Sequence, residues 1–76
     1  MNVKLVWNFS GEGSLKTAEH HLIHLKEYCE KEEVEVVKFG TELVNKFSAI
    51  SYIIVSQSLV TELRENLNPN QGFLVN

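Results

Sequence analysis

The chain has 76 residues, 43% of them hydrophobic, with a single cysteine and a net charge of -3. That length holds one domain, residues 1–76, and the apolar content is that of a packed core rather than a disordered segment. The charge excludes the basic face a nucleic-acid binder needs, the single Cys29 excludes an internal disulfide, and no stretch reaches the roughly 18 apolar residues of a membrane span. No secretion signal is read at the N-terminus, so a cytoplasmic protein is expected, with neither a nucleic-acid nor a membrane partner.

Residues 2–9 alternate, with Val3, Leu5, Trp7 and Phe9 on one side and Lys4, Val6 and Asn8 on the other, the period-two pattern of a strand. Ser10-Gly11-Glu12-Gly13 turns the chain, and Ser14 offers a side-chain oxygen to cap a helix. Over residues 15–31, Leu15, Ala18, Leu22, Leu25 and Cys29 recur at three and four and form one apolar stripe. Cys29 therefore reads as packing, with no basic helix-start environment to lower its pKa.

Residues 34–39 are rich in β-branched side chains and predict a second strand that Gly40 ends. Residues 41–48 suit either a hairpin arm or a loop. Residues 49–55 form an almost unbroken apolar run of strand length, expected to be central. Ser56 or Ser58 then caps a second helix carrying Leu59, Val60, Leu63 and Leu67, which Asn68-Pro69 stops, and residues 71–76 make a short edge strand.

The order βαββαβ folds into one antiparallel sheet with both helices on a single face, the ferredoxin-like α+β arrangement. The opposite face must then carry apolar groups, among them Val6, a pair from the central strand (Ile53 and Val55, or Tyr52 and Ile54), and some of Val37 and Phe39. A bare apolar face of several hundred Å² is unusual in a monomer, so a second copy of the chain is the expected cover. Ile23, off the core stripe, is a further candidate contact.

All three histidines fall within Glu19-His20-His21-Leu22-Ile23-His24-Leu25. His20 and His24, or His21 and His24, stand one turn apart and suit metal chelation, with Glu27 as a third ligand, but no His-Glu-x-x-His motif is present. A solvated helix flank is the preferred account, with no metal and no cofactor. Thr17, His21, His24 and Tyr28 border the apolar stripe on one side, where a cleft between helix and sheet would open. There His21 or His24 would serve as acid or base and Tyr28 would orient a substrate oxygen; Trp7 and Asn8 would add a stacking face and an amide. The competing account makes His21 and Tyr28 boundary residues with wet polar tips, and Trp7 a core residue. The loop from Ser10 to Thr17 lacks P-loop spacing, and Glu12 would repel a phosphate there.

The strand ending Val6-Trp7-Asn8-Phe9, the helix with His24-Leu25, the strand from Ala49 to Val55 and the helix with Ser58-Leu59 and Leu63 together resemble the dimeric α+β barrel superfamily, which includes muconolactone isomerase-like and YCII-related domains. The resemblance implies a homodimer with sheets packed face to face and a pocket for a small organic molecule reached by Trp7, Asn8, His21 and His24. It does not transfer a mechanism, since YCII-related proteins often pair a helical His with an Asp and this chain contains no aspartate. Three functions follow as expectations: a small-ligand-binding homodimer; an isomerase, lyase or monooxygenase-like enzyme using a helical His; or a regulatory amino-acid-binding module resembling the ACT domain.

Overall fold

A computed structural model describes residues 1–75. The elements are β1 (Asn2–Ser10), α1 (Ser14–Lys31), β2 (Val36–Asn45), β3 (Ser48–Ser56), a 3₁₀ turn (Gln57–Leu59), α2 (Val60–Leu67) and β4 (Gln71–Val75). They build one antiparallel sheet in the order β2-β3-β1-β4, so each βαβ crossover skips a strand and the two units interleave. This is the ferredoxin-like α+β fold. Asn76, which the sequence places in the last strand, lies outside the described residues.

Register decides which side chains share a face. Val3 pairs with Val55, Leu5 with Ile53, Trp7 with Ser51 and Phe9 with Ala49, and these residues carry the helices. Val3, Leu5, Trp7, Ile53 and Val55 close over Leu25 of α1 and Leu63 of α2 to form the core. Cys29 is buried in the same layer, and burial pushes its thiol pKa up, so it stays protonated and packs as an apolar group. No helix among the described residues is long and apolar enough to cross a membrane.

Several local expectations change. Ser14 does not cap α1: Gly13 holds the cap position without a side-chain hydrogen bond, and Ser14, now the first helical residue, buries a hydroxyl that finds no partner. The far end of α1 closes in a Schellman turn, with Val34 N–H donating to the Cys29 carbonyl and Glu33 in the left-handed region at φ 55°. The second strand begins at Val36 and runs straight through Gly40 to Asn45. Gly40 ends nothing because the ring of Tyr52, its partner on β3, lies against its Cα where any Cβ would collide. The ambiguous segment is thus the hairpin itself, turning at Lys46-Phe47, where the Asn45 side chain accepts a hydrogen bond from Phe47 N–H at 2.8 Å. Ser56 caps the 3₁₀ turn, accepting from Ser58 N–H at 3.4 Å, and α2 follows from Val60 until Asn68 takes a left-handed conformation.

The second face of the sheet carries Val6, Ile50, Tyr52 and Ile54, with Phe73 alongside Lys4. Phe39 is not part of it. A bulge between Val36 and Lys38 throws Val37 outward, 65% exposed, and returns Phe39 to the helix side opposite Ile53. β2 therefore gives this face Lys38, Gly40 and Glu42 instead. Lys4 partly screens the patch: its ammonium stands 4.3 Å from the Tyr52 ring centroid and 3.4 Å from a Glu42 carboxylate oxygen.

Candidate functional site at the junction of helix and sheet

His21 leaves the exposed flank of α1 and turns into the helix–sheet junction. Its position one turn after Thr17 and one before Leu25 places it beside the core stripe, above the end of β1. There the imidazole packs between Trp7 and Phe9, each with its ring centroid at 5.3 Å. Nδ1 lies 2.7 Å from the hydroxyl of Ser51, which is fully buried on β3. Burial, and secondarily the neighbouring charge of His24, holds the His21 pKa below its ordinary value of about 6.5. The ring is thus neutral at pH 7. With Nδ1 committed to Ser51, Nε2 is the nitrogen left for a ligand or water, as donor or acceptor according to the tautomer the rotatable hydroxyl selects. Ser51 is closed to solvent, and its hydroxyl fixes the orientation of the imidazole.

Trp7 shares this corner but uses its polar atom elsewhere. Its indole N–H donates to the Leu67 carbonyl at 2.9 Å, satisfying one of the orphan carbonyls at the end of α2. Tyr28 is half-buried against the core, and its hydroxyl accepts from the Asn66 side chain at 3.1 Å, linking the two helices. Thr17 donates back to the Gly13 carbonyl of its own first turn. Asn8 points to the opposite sheet face from Trp7, and its backbone N–H donates to the Asn70 side chain at 2.8 Å. Of the six residues singled out in the sequence, the structure brings Trp7 and His21 into contact and sets Tyr28 on the same helix side.

His24 is exposed. Its Nε2 lies 3.1 Å from His20 Nε2, and its Nδ1 lies 3.3 Å from Glu27. Among the described residues no group of three His, Cys, Asp or Glu side chains is arranged to hold a metal ion.

Sequence reasoning missed Ser51 and Phe9 as His21 partners. A signal was present for Ser51. It is the one hydroxyl in the alternating set Ala49, Ser51, Ile53, Val55, and a polar group on the core side of a central strand needs a hydrogen-bond partner. Asn66 carried no such signal.

The element order, strand order and helix-side imidazole define a ferredoxin-like domain with one polar anchor, Ser51, beneath a neutral histidine. No family model, curated protein or solved structure matches the chain.

Proposed function

We propose that the chain is a small-ligand-binding homodimer of the dimeric α+β barrel kind, acting in the cytoplasm, with its subunits paired through the second face of the sheet. The observation that carries this reading is the apolar face that neither helix covers, where Val6 and Tyr52 are already buried within the subunit and Ile50, Ile54 and Phe73 remain partly open. The same face holds Lys38 and the Lys4–Glu42 ion pair, formed within the subunit, so it carries charges of both signs that a two-fold contact can accommodate. Four strands about 4.8 Å apart and about 25 Å long span roughly 480 Å², or about 960 Å² for two subunits before side-chain relief. That lies just below the range of stable interfaces, about 1,200–2,000 Å², so a dissociation constant in the micromolar range is the fitting expectation.

Sedimentation equilibrium from about 1 to 200 µM brackets that affinity. The expected result is a monomer–dimer equilibrium in the native chain and a monomer in Ile50→Lys with unchanged circular dichroism. A native chain that stays monomeric throughout rejects the reading.

One observation favours a second reading, an isomerase-, lyase- or monooxygenase-like enzyme: His21 is held neutral, anchored through Nδ1 and flanked by two aromatic rings, the setting of a general base. Screening small organic molecules by NMR tests it. Binders that shift the His21 and Trp7 resonances support it, and binders that consistently shift other regions alone remove it.

A further inference from the structure

α2 has only eight residues and leaves part of the sheet's helix side open over β4, where Leu74 remains 63% exposed. A groove of about 350 Å³ runs there, between α2 and the edge strand. Val3 and Leu5 of β1 lie beneath it, both closed to solvent, and its accessible walls are Val60 on the helix side and Gly72 and Leu74 on the strand side. At its polar end stand Arg64, the one arginine of the chain, and the Asn70-Gln71 segment that leads into β4.

Two features mark the groove as more than a packing defect. Among the described residues Arg64 forms no ion pair, although α2 also carries Glu62 and Glu65. Within that set its guanidinium keeps its fork of donors free, on a groove whose lining is mixed polar and apolar. The second feature is Gly72. It sits opposite Leu5 in the register, and a Cβ there would already stand 3.4 Å from the Leu5 side chain. A larger residue at this position would fill the groove, whereas edge strands otherwise favour β-branched side chains.

We propose that this groove binds a small monocarboxylic acid with an aliphatic tail, the carboxylate on Arg64 and the tail along Val60, Gly72 and Leu74. The volume lies at the lower end of the range for ligand pockets, about 300–1,000 Å³, which limits the guest to a short or medium chain. The chain's net charge of -3 disfavours anion capture wherever no local cation offsets it, which ties the site to Arg64. The groove opens on the helix side of the sheet and shares only Phe73, on the edge strand, with the face proposed to pair subunits, so failure of the dimer leaves this proposal standing and failure here leaves the dimer standing.

The test is an amide NMR titration of the full chain with octanoate, with octanol and octylamine as neutral and cationic counterparts of equal tail length. Octanoate is expected to give saturable shifts at Gly72, Leu74 and Arg64. Octanol and octylamine should each bind at least about tenfold more weakly, the scale of one charge-assisted hydrogen bond. Arg64→Gln should weaken octanoate by a similar factor, and Gly72→Val should abolish the shifts while circular dichroism stays native. Absence of saturable shifts at millimolar octanoate overturns the proposal. So does equal affinity for octanol, or full affinity in Arg64→Gln, an exposed-surface change that decides the matter even if Gly72→Val folds poorly.

Discussion

Replacing Gly40 by alanine should destabilise the protein, and removing the Tyr52 ring should reverse the sign of that effect. In an open strand, Gly→Ala gains about 0.5–1 kcal/mol because glycine loses more backbone freedom on folding. At Gly40 the new methyl meets the Tyr52 ring instead. If the ring stays, overpacking costs about 1–3 kcal/mol. If it swings away, a side chain now only 7% exposed loses burial worth about 1.5–3 kcal/mol. Either route leaves a net loss of about 1–2 kcal/mol, or roughly 5–15 °C in Tm for a chain of this size. In a Tyr52→Ala background the collision is gone, and Gly40→Ala should raise Tm by a few degrees. Thermal melts of the four proteins at one fixed concentration measure the coupling, since any pairing through this face makes Tm concentration-dependent. Equal effects of Gly40→Ala in both backgrounds would refute the close approach, and with it the register that places Tyr52 and Gly40 together on the second face.

Two further outcomes follow from buried polar groups. Ser14→Ala removes a hydroxyl that is buried without a partner and should stabilise the fold by about 1 kcal/mol, read as a rise in denaturation midpoint at unchanged m-value. A drop in stability would mean that the hydroxyl is bonded after all. For His21 the folded pKa lies below the unfolded value of about 6.5, so the unfolded chain binds the proton more readily. The contribution is fully present above about 6.5 and is lost as the pH falls through the folded pKa. His21→Gln should flatten that part of the stability profile, and an identical slope in the variant would assign the dependence to other groups.

Much of the fold was legible because its strongest signals are local. The alternation from Val3 to Phe9, the three-four spacing from Ala18 to Cys29 and the apolar run around Ile53 each mark one element by period alone. Where the reading failed, the deciding contact comes from elsewhere in the chain. Gly40 resembles a terminator until Tyr52, twelve residues later, is seen to need its missing side chain. Ser14 has the chemistry of a cap, but the turn from Gly11 to Gly13 begins the helix one residue earlier and carries Ser14 into the interior. The candidate site shows the same division. That His21 borders the stripe follows from the helical wheel; that it meets Ser51, thirty residues on, depends on the register between β1 and β3. The groove at Arg64 had no sequence signature, since it exists only because α2 is too short to cover β4.

The placement of Trp7 gives the molecule an optical reporter of its own. It is the sole tryptophan, its indole N–H is tethered to the last turn of α2, and its ring rests against an imidazole of α1. Lifting either helix from the sheet would wet the indole and move its emission to the red, while a charge appearing on His21 would dim it with the helices still in place. Wavelength and intensity of one fluorophore thus separate undocking from protonation without any label.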